Sequence, residues 1–314
     1  MPVADSFFTG AVSRRSGPEI SAARLETGVS RAHVARMISA DVRAVLPAIF
    51  FALAALAGLL ALGAQPWLTE RRRARLRAKP FPSPWRRILR RRVPMAARLP
   101  PDMQLRLKRH IQVFVAEKPF IGCQGQAITD EVRVTIAAQA CLLLLGHARP
   151  DCYPRLRQVL VYPDAFAVSR ETPLGAGLVQ AQRQTLSGES WTQGQVILSW
   201  ADVLAGAADP ADGRNVVLHE FAHQIDQDTG VANGRPWRPT PAKRRRWAAV
   251  MDDAFRRLGQ EPSTVIDPYG ANDPAEFFAV VTEVFFERPR DLAAEAPAVY
   301  RELAELFGVN PLQW

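Results

Sequence analysis

Histidine and cysteine are both scarce in this chain. Among 314 residues there are five histidines and three cysteines. Cys123, Cys141 and Cys152 lack the paired spacing of a cysteine-rich zinc site. An odd number of cysteines also does not suggest a disulfide framework, which indicates a reducing compartment and structural thiols. No glycine-rich nucleotide loop and no internal repeat occurs. The chemistry of this chain is therefore sought among its histidines and carboxylates.

Two of the histidines form a His-Glu-x-x-His motif in the segment NVVLHEFAHQIDQDTG, residues 215–230. On a helix, residues four apart share a face, so His219 and His223 would point the same way with Glu220 beside them. Zinc peptidases use this arrangement to provide two nitrogen ligands and a carboxylate that takes a proton from an activated water. The flanking residues are apolar or uncharged, and burying the motif without a partner would be costly. The motif therefore predicts a metal site on a helix.

A catalytic zinc site needs a third protein ligand, and no histidine follows His223. Thr229 stands where the metzincin pattern requires a histidine, so that subclass is excluded. His33 precedes a long apolar stretch, and His110 and His147 lie upstream of the motif. A downstream carboxylate is the better candidate, as in sites of two histidines and one glutamate.

The segment DPYGANDPAEFFAVVTEVFFERP, residues 267–289, supplies such carboxylates. Its apolar pattern predicts a largely buried helix from Pro274 to Phe286, with Glu276 and Glu283 seven residues apart on one face. Carboxylates on so apolar a helix need a cation or hydrogen-bond donors nearby. Asp273 also fits the N-cap of a capping box in which Glu276 takes the third position. Spacing alone leaves the third ligand open between Glu276 and Glu283.

These motifs and several others resemble those of the Mlc titration factor A family. In chain order they are TDEVRVTIAAQACLLLL, VLVYPDAF, SGESW followed by GQVILSW, HEFAHQID, YGANDPAEFFAV and TEVFFERP. The family comprises zinc-dependent, gluzincin-type peptidases whose fold is similar to the catalytic domain of anthrax lethal factor. The resemblance spans roughly Leu99 to Pro311 and leaves the preceding residues uncovered.

The resemblance implies the fold class, the zinc ligands and the partners. The expected fold is α+β, a gluzincin-like zincin metallopeptidase domain with a small sheet and an active-site helix. The implied zinc ligands are His219, His223 and Glu276, which leaves Glu283 a supporting or structural role. The implied activity is peptide-bond hydrolysis, aminopeptidase-like action included, on a peptide or protein substrate. Because the family's namesake role is to sequester a transcriptional repressor of sugar-uptake genes, such a repressor is an alternative partner.

The resemblance also implies two catalytic residues, Glu220 and Tyr269. Zinc would lower the pKa of a bound water towards ~7, and Glu220 would take its proton and pass it to the leaving amine. Tyr269 would donate a hydrogen bond to the oxyanion, although without the resemblance it reads as a turn residue. Asp226 shares a face with His219 and His223, and it is expected either to orient a ligand histidine or to face solvent.

The remaining segments predict a domain of helices and strands over residues 97–314. Thr129 caps a predicted helix that ends at Gly146. QVLVYPDAF and GQVILSW are rich in β-branched residues and read as strands. Val196 to Trp200 is expected either to pair with extended substrate, as the strand before a zincin's active-site helix, or to be an ordinary core strand. PAKRRRWAAVMDDAFRRLG reads as an exposed amphipathic helix.

The N-terminal part of the chain has a different composition. Residues 1–43 carry mixed charge without clear periodicity and are expected to be poorly ordered. No charged residue occurs from Ala44 to Ala64, and about 20 apolar residues are enough to cross a bilayer. This stretch is therefore predicted to be a transmembrane helix, and the basic run after it argues against a cleaved signal peptide.

Residues 65–96 contain a dense arginine cluster and are predicted to be a juxtamembrane linker. Much of the net charge of +9 lies there. Basic residues beside a span remain on the cytoplasmic side, where they contact anionic lipid. That position favours lipid over direct nucleic acid binding, which is not expected. The sequence thus predicts a single-pass protein of the bacterial inner membrane with its peptidase domain in the cytoplasm.

Overall fold

The computed structural model describes residues 31–147, 151–164, 166–173, 179–186, 188–191 and 194–314. The chain divides into two compact units, Met1–Trp67 and Leu68–Trp314. The expected poor order of residues 1–43 lies largely outside the described residues, and the part that is described, from Arg31 onward, is helical.

The described chain is mostly helical. The helices are α1 (Arg31–Ala78), α2 (Ser83–Arg92), α3 (Met95–Arg98), α4 (Pro101–Glu117), α5 (Asp130–Leu142), α6 (Trp200–Ala208), α7 (Val216–Asp226), α8 (Pro241–Leu258), α9 (Pro274–Glu287), α10 (Pro289–Glu295) and α11 (Pro297–Phe307). The strands are β1 (Phe120–Gly122), β2 (Gln158–Tyr162), β3 (Phe166–Pro173), β4 (Val179–Leu186), β5 (Gly188–Trp191) and β6 (Gln195–Ser199). The expected α+β class with a small sheet is confirmed.

A four-stranded sheet has the order β1-β2-β6-β5. β1, β2 and β6 run parallel, whereas β5 pairs with β6 antiparallel. β3 and β4 form a separate antiparallel pair. Ile197 in β6 is opposite Leu160 on one side and Glu189 on the other. The expectation that Val196 to Trp200 pairs with substrate is wrong, because Val196 to Leu198 are already paired on both sides and Trp200 begins α6. The alternative, a core strand, is confirmed.

α1 carries the predicted span. From Val45 onward it has a mean hydropathy of 2.5 in its most apolar window, and none of that window is buried. Large apolar side chains such as Phe50, Phe51 and Leu59 are exposed. Among the described helices it is the one whose length and composition would let it cross a membrane.

The core of the unit Leu68–Trp314 is built on α5, α7 and α9. α5 begins where predicted, with the Thr129 hydroxyl accepting from the Val132 amide, and it ends at Leu142 rather than Gly146 because turns follow. On α7, the Phe221 ring packs 4.8 Å from the ring of Tyr153. Such apolar burial contributes about 25 cal/mol per Å² and holds these helices in place. α8 is amphipathic as predicted, with its buried face at Trp247, Met251 and Ala254.

The compact unit begins before residue 97, where the sequence analysis placed the start of the peptidase domain. Leu89, Val93 and Met95 are buried parts of its hydrophobic core. The basic segment 65–96, expected to be a linker, is helical over most of its length, and some of its arginines are paired within the unit. Arg73 contacts Glu117 at 2.7 Å.

Candidate metal centre

The helix with the His-Glu-x-x-His motif, α7, starts at a well-formed cap. The Asn215 side-chain oxygen accepts hydrogen bonds from the amides of Val217 and Leu218, both at 3.1 Å. These are donors that a helix start leaves unsatisfied. Val217, Leu218 and Phe221 are fully buried against the core, so the opposite face of α7 presents both histidines to α9.

His219, His223 and Glu276 converge at one point, between α7 and α9. Nε2 of His219 lies 2.9 Å from Oε2 of Glu276 and 3.3 Å from Nε2 of His223. Nε2 of His223 lies 3.6 Å from the same glutamate oxygen. Two ligand atoms that each lie about 2.0–2.1 Å from a tetrahedral zinc are about 3.3–3.4 Å apart. The three atoms are therefore close enough together to hold one metal ion.

The electrostatic surroundings of this cluster fit a cation. Burial lowers the pKa of His219, but hydrogen bonds to Glu276 and Glu283 outweigh it and raise that pKa well above its usual value. Burial raises the pKa of Glu276, and its bonds to the two histidines outweigh it and lower the pKa. The charge of Glu220 acts on His219 in the same direction as the other two glutamates. Three carboxylates thus favour positive charge at this point, as a divalent ion requires.

Glu276 and Glu283, which spacing left as alternatives, contact opposite edges of the His219 ring. Oε1 of Glu283 lies 2.8 Å from Nδ1 of His219, whereas Glu276 lies on the Nε2 side. The second oxygen of Glu283 accepts a hydrogen bond from the backbone amide of Asn215. Glu283 therefore lies behind the ring, and Glu276 lies beside His223.

Tyr269 lies in a short 3-10 turn, Pro268–Ala271, that leads to α9. Its ring centroid is 6.0 Å from that of His219, and the side chain is 47% exposed. Asp267 holds the turn by accepting from the Tyr269 amide at 2.9 Å, and Arg214 contacts the other oxygen of Asp267 at 2.8 Å. Tyr269 is thus both a turn residue and a neighbour of the histidine cluster.

Asp226 ends α7 and is fully buried, so the solvent-facing alternative is wrong. Its Oδ2 accepts hydrogen bonds from the amides of Asn233 and Gly234, both at 2.6 Å. Burial raises its pKa despite those bonds. Gly234 has φ +73, and a Cβ there would lie 2.3 Å from the carbonyl oxygen of Pro274, the first residue of α9. Asp226 therefore connects the end of α7, through hydrogen bonds, to a loop that packs against the start of α9.

Three polar residues near the cluster, Asn215, Gln139 and Glu287, were not predicted from the sequence. Nδ2 of Asn215 donates to Oε1 of Gln139 at 2.8 Å and to Oε1 of Glu287 at 2.9 Å. Burial raises the pKa of Glu287 to about 8. Asparagine before an apolar helical run is a cap signal that could have identified Asn215, and Glu287 lies one turn after Glu283. Gln139 carries no such signal, because only tertiary packing brings it here.

His110 and His147 lie apart from this cluster. His110 is buried in α4, with Nε2 3.1 Å from the backbone oxygen of His147, and burial lowers its pKa to about 4. The side chain of His33 lies outside the described residues. Cys141 and Cys152 are buried and Cys123 is half-buried, all three as free thiols, in keeping with the expected structural role.

Comparison with known proteins agrees with this architecture. A family model for the glucose-regulated metallo-peptidase M90 matches residues 67–308. An uncharacterized protein of Synechocystis is 41% identical over 251 residues, covering 78% of this chain and 90% of that protein. Mlc titration factor A of Klebsiella pneumoniae is 35% identical over 239 residues, covering 73% and 87%. The Cronobacter sakazakii protein of that name is 34% identical over 240 residues, covering 74% and 88%. The chain therefore belongs to the Mlc titration factor A family of M90 metallo-peptidases.

Proposed function

We propose that this protein is a zinc-dependent peptidase of gluzincin-like zincin fold. His219, His223 and Glu276 would hold the metal, and Glu220 would be the general base. The observation that supports this most directly is the ligand spacing of three side-chain atoms in a chain whose family model describes metallo-peptidases. The substrate class is a peptide or protein, cleaved by endopeptidase or aminopeptidase action.

Zinc, when bound, supplies a Lewis acid that acidifies water and polarises a carbonyl. Glu220 follows the first ligand on α7 and is 4% exposed. It holds the proton between the two halves of the reaction, accepting it first and returning it to the leaving amine. Tyr269 would donate a hydrogen bond from its hydroxyl to the oxygen on which charge develops, a contact that contributes on the order of 10²–10³ in rate. Glu283 holds the His219 ring in place.

The proposal includes a location. The apolar part of α1 would cross the bacterial inner membrane, and the arginines after it would remain in the cytoplasm beside anionic lipid. The zinc-peptidase domain would then act at the cytoplasmic face.

The names of the relatives favour a second candidate function. Two of them are called Mlc titration factor A, which suggests binding of a transcriptional repressor of sugar-uptake genes. In this alternative the chain acts by sequestering the repressor, and the metal site serves structure or a secondary reaction.

Glu220→Gln in the full chain, purified in detergent, tests the first proposal. The amide cannot carry the proton but leaves all three ligands in place. Hydrolysis of a broad peptide library should fall by about 10²–10⁴, while the zinc content stays at the wild-type level. Turnover that survives in this variant would refute Glu220 as the base. A wild type that holds zinc and cleaves nothing in the library would favour the repressor-binding function instead.

A further inference from the structure

Asn215 lies at a junction of four elements behind the metal centre. It is 3% exposed and immediately precedes α7. Its Nδ2 donates to Gln139 on α5, to the backbone oxygen of Gly206 on α6 at 3.1 Å and to Glu287 on α9. The two helices that carry the candidate ligands, α7 and α9, are thus joined through one side chain.

The backbone amide of Asn215 contacts Glu283, the carboxylate that supports His219. The Asn215 amide donates to Oε2 of Glu283, whose other oxygen lies 2.8 Å from Nδ1 of His219. Glu283 and Glu287 are one helical turn apart, so both oxygen acceptors approach Asn215 from the same face of α9. A displacement of Asn215 would therefore move Glu283, and with it the ring of His219.

A capping role explains only part of this arrangement. The cap requires the side-chain oxygen alone, and serine or aspartate would serve equally well at this position. The three bonds made by the amide nitrogen contribute nothing to the cap. α6 also comes close at this point, because a Cβ on Gly206 would lie 3.0 Å from Cα of Asn215. The three groups around the side-chain nitrogen of residue 215 are all oxygen acceptors, so this position requires a donor.

We propose that Asn215 is a positioning residue for the metal centre. Its side-chain nitrogen Nδ2 is held by Glu287 and Gln139, and this fixes the backbone amide that holds Glu283 behind His219. The inference rests on the proposed zinc site at His219, His223 and Glu276. Its contribution is orientation, since Asn215 touches none of the ligand atoms at the metal side. Partners of this kind behind a metal-ligand histidine typically contribute 10–100-fold to metal affinity.

The test measures zinc affinity by chelator competition and the visible spectrum of the cobalt-substituted full chain, which reports ligand geometry. Asn215→Ser keeps the cap and removes the two N–H donors of Nδ2 that make the three contacts, and zinc should bind at least about tenfold more weakly, with an altered cobalt spectrum. Thr240→Ala is the control, because Thr240 caps α8 by accepting from the Lys243 amide. It should lower the Tm while leaving zinc affinity and the cobalt spectrum unchanged.

A rescue experiment separates positioning from simple loss of structure. Asn215→Asp also keeps the cap but, like serine, removes the side-chain N–H donors, and zinc affinity should again fall at least about tenfold. Adding Glu287→Gln to that variant restores a hydrogen bond between the two positions with its direction reversed, because the side chain at position 287 now donates and the one at position 215 accepts. The double variant should regain at least part of the zinc affinity and move the cobalt spectrum back towards that of the wild type.

The outcomes distinguish this inference from the proposed function. Wild-type zinc affinity in both Asn215→Ser and Asn215→Asp would overturn the positioning role and leave the zinc peptidase intact. A double variant no better than Asn215→Asp would also overturn it, because the bond to Glu287 would then be irrelevant. A wild type that binds no zinc would overturn the zinc peptidase first, and the positioning role with it.

Discussion

The ring of His219 lies between two glutamates of one helix. Its Nδ1 is 2.8 Å from Glu283 and its Nε2 is 2.9 Å from Glu276. A carboxylate at one nitrogen determines which ring atom carries the proton and turns the other towards a metal. Because both glutamates belong to α9 while the ring belongs to α7, the site depends on the register between these two helices.

We expect the full chain to bind about one zinc ion and to lose it in His219→Ala and in His223→Ala, because two remaining ligands are too few. Zinc content of the purified variants, measured by atomic emission, checks this. His147→Ala is the matched control, since that side chain is exposed and lies apart from the cluster. Full zinc occupancy in either ligand variant would contradict the site.

We expect Glu276→Gln to weaken zinc binding far more than Glu283→Gln. The first change replaces a ligand by an amide, which is a poor one. The second removes a supporting contact, whose loss typically costs 10–100-fold in affinity. Chelator competition on the two variants ranks them directly. The opposite order would show that Glu276 serves as part of a helix cap and that Glu283 is the ligand.

Gly234→Ala should lower both stability and zinc affinity. Alanine at φ +73 costs about 1 kcal/mol or more in backbone strain, and its Cβ would meet the Pro274 carbonyl at the start of α9. The displaced helix would carry Glu276 away from the histidines. Urea unfolding and zinc competition measure the two effects. Gly259→Ala is the control, because its φ is −71 and the nearest atom to an added Cβ is 3.6 Å away. An unchanged zinc affinity in Gly234→Ala would contradict the link to α9.

Glu287→Gln should make the protein relatively more stable as the pH rises. The folded-state pKa of Glu287 is raised by burial from 4.5 to about 8, so the folded chain holds this proton more tightly than the unfolded chain. Its favourable contribution is complete below pH 4.5 and is lost progressively towards pH 8. The free energy of unfolding, compared at pH 5 and pH 8, should therefore fall more in the wild type than in the variant. The exposed Glu261→Gln should show no such difference.

A reporter fused after Trp314 should be active if it works only in the cytoplasm and silent if it works only in the periplasm. Export of the domain would move the arginine cluster across the membrane, against the positive-inside tendency. Replacing the exposed Arg72, Arg75 and Arg87 by glutamine should weaken this orientation. A strong periplasmic signal from the unaltered chain would contradict the proposed topology.

Local patterns predicted much of the architecture. The caps at Thr129 and Asp273 and the start of α9 at Pro274 were found because a helix start depends on residues within one turn. The sequence did not decide whether Val196 to Trp200 is a core strand or a strand that pairs with substrate. That depends on whether other strands pair with both of its edges, which only the folded chain determines. The early start of the compact unit was missed for a related reason. A run rich in arginine reads as a linker, whereas Leu89 in its midst is buried.

The sequence by itself determined which side chains make up the candidate site. It placed two imidazoles and a carboxylate on one helix and two further carboxylates on another, since helical periodicity depends only on spacing. Only the tertiary structure decided which carboxylate lies on which edge of His219. Glu276 and Glu283 share a face of α9, so helical spacing alone cannot tell which of them meets Nε2 and which meets Nδ1. It also decided that Asp226 is buried against a loop and that Asn215, Gln139 and Glu287 form one network. Those contacts join residues far apart in the chain, and no local pattern encodes them.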